Sequence, residues 1–242
     1  MSDARPTTAA MQPFRIDRGD GEVVCGDELA GTAPSYLFLH GLGSVRVGEK
    51  STLLAAHAHA RSRAFLRFDQ RGHGESSGKL GRVAVSELIA DATRVLERTG
   101  PADVVGSSLG GLVAAHVAAA RPELVRRLAL LAPALGLLAR LAERLDQHGR
   151  MWTNQGLGFH VDPRVLADGA TLDEVGLPTR LRVPTLVVHG TADEVIPARA
   201  SERFFAGLAA HHKQLWIVPG GDHRLNRVAG EIWQRLDALP IA

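Results

Sequence analysis

The stretch Gly106-Ser107-Ser108-Leu109-Gly110 directly follows the apolar run Ala102 to Val105 and directly precedes the helix-like run Leu112 to Ala120. A G-x-S-x-G sequence at a strand-to-helix junction puts its serine on a tight turn, with the hydroxyl above the sheet and small neighbours that let the backbone pass. Ser108 is therefore the candidate nucleophile. The first N–H groups of the following helix are unpaired and lie at its positive dipole end, a setting that favours a developing oxyanion.

A neutral serine needs a base to take its proton and an acid to orient that base. Two glycine-bearing segments supply them: His189-Gly190-Thr191-Ala192-Asp193-Glu194 after the apolar run Thr185 to Val188, and Gly220-Gly221-Asp222-His223-Arg224 after Gln214 to Val218. His223 fits the base and Asp193 the orienting carboxylate, which gives the chain order Ser, Asp, His. Asp222 adjoins His223 and would have to reach around to the far ring nitrogen, while Glu194 follows Asp193 and points another way. The segment His40-Gly41-Leu42-Gly43-Ser44 offers backbone instead: the N–H of Leu42, with that of Leu109, is expected to form an oxyanion hole. His40 itself is read as structural, its ring bonded to nearby backbone, and Asp69 to Ser76 as a self-bonded turn.

These segments all follow strand-like runs, as ligand sites in open parallel sheets do. Short strands are expected at Phe14 to Ile16, Glu22 to Cys25 and Tyr36 to Leu39. Helices over Lys50 to Ala60, Val85 to Arg98 and Leu112 to Ala120 then alternate with strands Phe65 to Phe68, Asp103 to Val105 and Leu128 to Leu131. Such alternation implies βαβ crossovers and a parallel sheet. It breaks at about residues 134–180, where a helix carrying Leu137, Leu138, Leu141 and Leu145 precedes Trp152 and Phe159. Alternation resumes with Thr185 to Val188, a helix Ala198 to Leu208, strand Gln214 to Val218 and a last helix from about Leu225 to Leu239. The expected architecture is α/β: a doubly wound, mostly parallel sheet with a small helical lid inserted after the sixth strand. Residues 1–12 are expected to be a flexible tail and 13–242 a single domain.

Composition narrows the partners. The 242 residues carry 28 Lys and Arg against 26 Asp and Glu, a net charge of +2 spread along the chain, so no basic stripe for nucleic acid is expected. No run reaches the roughly 18 apolar residues of a membrane span, and the N-terminal residues lack the apolar core of a secretory signal. A cytoplasmic location is the default expectation. The single cysteine, Cys25, excludes an internal disulfide and reads as a small buried hydrophobe. His57 and His59 lie two apart on a helix, on different faces, so they form no metal pair, and His211 and His212 precede a strand, at the wrong end of the sheet.

From about Tyr36 to its end the chain resembles the α/β-hydrolase-fold serine hydrolases. The signal is Val105-Gly106-Ser107-Ser108-Leu109-Gly110-Gly111, then Ala120-Arg121-Pro122-Glu123, His189-Gly190 with Asp193-Glu194 and Pro197, and Asp222-His223-Arg224. Within that family it is similar to the acyl-protein thioesterase and acyl-glucuronide esterase branch and to small bacterial esterases, though its first loop and lid depart from that branch. The resemblance implies hydrolysis of a small-molecule acyl ester or thioester through an acyl-enzyme on Ser108, with Asp193 and His223 completing the triad, no cofactor and no metal. A serine nucleophile argues against the dehalogenase and epoxide-hydrolase branches, whose nucleophile is an aspartate. An N-terminal peptidase and a non-catalytic ligand binder of the same fold stand as alternatives, and assembly as a homo-oligomer is left open.

Overall fold

The structure, a computed structural model, describes residues 11–19, 21–153 and 156–241. Its elements run β1 (Gln12–Asp17), β2 (Val23–Leu29), β3 (Thr32–Leu39), α1 (Glu49–His59), β4 (Arg63–Phe68), α2 (Val85–Thr99), β5 (Ala102–Ser107), α3 (Leu109–Ala120) and β6 (Val125–Leu131). After an inserted segment holding β7 (Arg150–Trp152), β8 (Gly158–His160), α4 (Pro163–Thr171) and α5 (Leu177–Arg180) come β9 (Thr185–Gly190), α6 (Arg199–Gly207), β10 (Lys213–Val218) and α7 (Ala229–Ala238). Of the expected tail, residues 1–10 lie outside the described residues, and Gln12 already belongs to β1.

Eight strands form one sheet in the order β1-β2-β4-β3-β5-β6-β9-β10 among the described residues. β2 pairs antiparallel with β1 and β4, whereas β4 through β10 are parallel neighbours. The central strands read as unbroken apolar runs because helices cover both of their faces. Alternation with period two sorts their side chains: Leu37, Leu39, Val104, Leu128, Leu130 and Val187 join the core under α2, α3, α5 and α6. Tyr36, Phe38, Val105, Ala129, Leu131 and Val188 join the core under α1 and α7. Burial at Leu88, Asp91, Ala92, Val95 and Leu96 gives α2 the one-sided helical pattern, and the Glu87 carboxylate accepts the Ala84 amide at its start, 2.7 Å away. α3 is different, being buried at every position from Leu109 to Ala118, so the element that follows Ser108 is held from all sides.

The helix expected from the leucines at 137, 138, 141 and 145 is instead two 3-10 turns, Leu138–Arg140 and Ala142–Arg144. The Glu174 carboxylate accepts hydrogen bonds from the amides of Gly136, Leu138 and Ala139, which ties the start of the first turn to a residue far along the chain. Cys25 is buried in β2.

Leu130 lies on the α3 side of the sheet with no exposed surface. Leu130→Ala is expected to cost about 2–5 kcal/mol of stability, read from the denaturant midpoint at unchanged m.

Candidate active site

Ser108 closes β5 and opens α3 with φ 55° and ψ −118°, a backbone that L-residues rarely adopt. Neighbouring glycines make the turn feasible. A Cβ on Gly110 would lie 2.3 Å from the Leu39 carbonyl oxygen and 2.5 Å from that of His40, and one on Gly106 would lie 2.3 Å from the Gly110 carbonyl oxygen. The strained residue is also tied by hydrogen bonds, its N–H donating to Leu131 (2.9 Å) and its carbonyl accepting from Ala134 (3.0 Å).

His223 and Asp193, expected from the sequence as base and orienting carboxylate, lie in hydrogen-bond contact. Asp193 Oδ2 accepts from His223 Nδ1 at 2.7 Å, which leaves Nε2 of that ring to face the groove shared with Ser108. Asp193 is completely buried as a side chain, and its other oxygen accepts the amides of Val195 (2.8 Å) and Ile196 (2.9 Å). Burial pushes the carboxyl pKa up, but the hydrogen bonds from His189, His223 and the Ile196 amide outweigh it and hold the group well below the usual carboxylate range. Ser108 and His223 line one groove of about 800 Å³. Among the described residues no hydrogen bond joins the Ser108 hydroxyl to the His223 ring, a contact that in many enzymes tightens only with substrate present. Of the rivals, Asp222 accepts the amides of Arg224 and Leu225, and Glu194 is exposed on the groove, whereas the His223 ring bonds Asp193.

The amides of Leu42 and Leu109 have no hydrogen-bond acceptor among the described residues, and both residues flank Ser108 in a second cavity of about 340 Å³. The loop carrying Leu42 is braced by two histidines. His73 Nε2 accepts the Gly43 amide (3.0 Å), so its Nδ1 hydrogen donates to the Arg71 carbonyl (3.1 Å). His40 Nε2 accepts the Gln70 amide (3.0 Å), and its Nδ1 hydrogen donates to the Gly41 carbonyl (2.8 Å). Each ring must be neutral to accept an amide. Burial accordingly pulls both pKa values down, that of His40 to about 4 with the neighbouring His73 adding to the effect. Asp69, in the same turn as His73, accepts the amides of Arg46 and Glu75, so the self-bonded turn also fixes the loop beyond Ser44. Among the described residues no three His, Cys, Asp or Glu side chains gather as a metal site, and no helix is long and apolar enough to cross a membrane.

Comparison with known proteins agrees with the fold. A profile described as the alpha/beta hydrolase fold matches residues 34–150, and one described as serine aminopeptidase, S33, matches residues 172–227. The mouse mitochondrial palmitoyl-protein thioesterase ABHD10 is 28% identical over 216 residues, covering 83% of this chain and 72% of that one. The solved structure of mouse alpha/beta hydrolase domain-containing protein 10 superposes with a TM-score of 0.81 at 24% identity, covering 93% of this chain and 98% of that one. The chain belongs to the α/β-hydrolase fold family. A ferulic-acid-bound structure of Est1E from Butyrivibrio proteoclasticus shares the α/β-hydrolase fold at a TM-score of 0.78 and 19% identity, with 93% and 99% of the two chains covered.

One residue of this α/β-hydrolase went unassigned in the sequence. His189, at the end of β9 and fully buried, places Nε2 3.0 Å from Asp193 Oδ2 and 2.9 Å from the Ile196 carbonyl, while Nδ1 lies 2.7 Å from Ser201 Oγ. It thus holds the same carboxylate oxygen that His223 uses. Its only sequence signal was its place directly after an apolar strand, four residues before Asp193.

Two outcomes are expected. His189→Leu removes a donor to a buried carboxylate and should cost about 1.5–3 kcal/mol of stability and lower kcat more than it changes KM, with His189→Gln recovering part of both; denaturant melts and ester turnover read this. For pH, unfolded histidine takes up its proton near 6.5, whereas folded His40 does so only at about 4. The stability held by neutral His40 is therefore complete above about pH 6.5 and lost as pH falls towards 4. His40→Asn should shrink the drop in melting temperature between pH 7 and pH 4.5.

Proposed function

We propose that the protein hydrolyses carboxylic esters or thioesters of small to medium acyl groups through an acyl-enzyme on Ser108. The observation that carries this reading is the buried Asp193 bonded to His223 at 2.7 Å, on the groove that Ser108 also lines. The similarity to a relative named as a palmitoyl-protein thioesterase supports the same chemistry. In the proposed reaction Ser108 Oγ attacks the acyl carbon and passes its proton to His223 Nε2. The amides of Leu42 and Leu109 hold the resulting oxyanion. Collapse expels the alcohol or thiol with the proton from His223, and water, deprotonated by the same ring, releases the acid. No cofactor or metal enters these steps. The reading takes residues 13–242 as one domain in a cytoplasmic setting and the segment of about 134–180 as a lid over Ser108.

The peptidase alternative needs a carboxylate near Ser108 to grip a substrate ammonium. The acidic residues of the lid are engaged elsewhere: Glu174 with three backbone amides, Asp168 with Ser86, Asp146 with the amides of His148 and Arg150, and Asp173 with Gly176 and Arg180. Glu143 pairs with Arg140, and no acidic side chain lines the 340 Å³ cavity. The groove that Ser108 shares with His223 does carry Glu49, Glu194 and Asp222, but Glu49 accepts from Asn226 and Asp222 from the amides of Arg224 and Leu225, so the lid side supplies no ammonium site and the esterase reading has the better support.

A fluorophosphonate probe should label the wild-type protein, and Ser108→Ala should abolish the labelling and lower p-nitrophenyl ester turnover by at least about 10⁴-fold. Undiminished labelling of the variant would place the nucleophile elsewhere, and turnover of aminoacyl anilides in preference to esters would favour the peptidase.

A further inference from the structure

The 340 Å³ cavity beside Ser108 is charged in one sense only. Arg140 and Arg144 from the inserted segment and Arg203 from α6 line it, with no carboxylate among the lining residues. Arg140 is ion-paired with Glu143 at 2.9 Å in an exposed pair. Arg144 and Arg203 have no ion-pair partner among the described residues. The remaining wall near Ser108 is apolar, chiefly Leu135, Leu137, Met151 and Ile196.

The proposed reaction says which half of the substrate meets these arginines. A leaving group must receive its proton from His223, so it departs into the 800 Å³ groove that His223 lines. The 340 Å³ cavity contains Ser108 and Leu109 but not His223, and it is left for the acyl group. The groove on the leaving-group side carries Glu49, Glu194 and Asp222 as well as Lys50 and Arg224, a mixed set with no preference for an anion. A net positive charge is thus confined to the acyl side.

Guanidinium groups present a planar fork of donors that matches a carboxylate, and unpaired cations at the wall of an apolar cleft raise the local concentration of anions. From this, and resting on the ester-hydrolase reading above, we infer that the preferred acyl groups carry a distal carboxylate: the substrates are half-esters or half-thioesters of short dicarboxylic acids. The methylene chain lies along Leu137 and Met151, and the free carboxylate reaches Arg144 and Arg203. A volume near the lower end of the roughly 300–1,000 Å³ typical of ligand pockets suits a short acyl chain. The adjoining apolar hollow, which shares Leu42, Leu109, Leu137 and Met151, is only about 60 Å³ and holds no long fatty tail without opening.

The test compares thioesters that share one small neutral leaving group, N-acetylcysteamine, and differ only in the acyl end: adipoyl, heptanoyl and 6-(trimethylammonio)hexanoyl. Released thiol gives kcat/KM for the wild type and for the Arg144→Gln, Arg203→Gln double variant. Adipoyl is expected to lead heptanoyl by about tenfold at low ionic strength and by less in added salt, with the cationic acyl group poorest and the adipoyl-to-heptanoyl ratio near one in the double variant. Because the ratio is taken within one protein, a loss of folded enzyme does not mimic the effect. Equal wild-type rates for adipoyl and heptanoyl, or a ratio unchanged in the double variant, overturn the inference while leaving the hydrolase reading intact. A preference for hexanoyl-coenzyme A over hexanoyl-N-acetylcysteamine that the double variant abolishes also overturns it, by assigning the arginines to an anionic leaving group. Failure to turn over any thioester, together with absence of fluorophosphonate labelling at Ser108, sinks both readings at once.

Discussion

The backbone of Ser108 is the constraint on which the rest of the molecule turns. A left-handed φ on a residue with a Cβ costs about 1–3 kcal/mol and persists only where surrounding structure over-determines it. Here the determination comes from four directions. The Ser108 N–H donates to β6, its carbonyl is taken by Ala134 just beyond β6, α3 is buried all round, and the missing side chain of Gly110 lets that helix start against the last carbonyls of β3. One turn therefore fuses β3, β5, β6 and α3. The loop that carries Leu42 leaves β3 and the inserted segment leaves β6 within reach of the same serine because both strands are pinned to it.

Around that point the protein keeps charge scarce. His40 and His73 accept backbone amides and stay neutral, so neither ring adds a cation beside Ser108. The Asp193 carboxylate is buried and anionic, satisfied by two backbone amides and two imidazoles. A buried charge costs several kcal/mol unless it is fully partnered. His189 is thus as much a condition for an ionised Asp193 as His223 is, though only His223 faces the groove.

What the sequence disclosed follows from locality. The glycines around Ser108, the apolar runs before Leu42, Asp193 and His223, and the Ser, Asp, His order are all set within a few residues, because a parallel sheet presents each site segment directly after a strand. The rest depends on contacts that no short window holds. The amides of Gly136, Leu138 and Ala139 are taken up by Glu174, and the role of His189 is set by Ser201 on α6 and by the turn that brings Asp193 back to it. The arginines share a cavity only because α6, which begins at Arg199, lies beside a segment whose last helix ended at Arg180, before β9.

This division separates reactivity from selection in physical terms. The inserted segment has its own small core, Leu141, Met151, Val161 and Val165, and meets the chemistry through Leu42 and Leu137, which pack against that core and the main one alike. Changes inside the segment can move the cavity wall without disturbing the turn at Ser108, whose ties all run to the sheet and its immediate extension. Leu42 is the exception, since it lines the cavity beside Ser108 while it also packs against the core of the segment. A volume change there acts on both at once, so the loop beside Ser108 is also constrained by what sits above it.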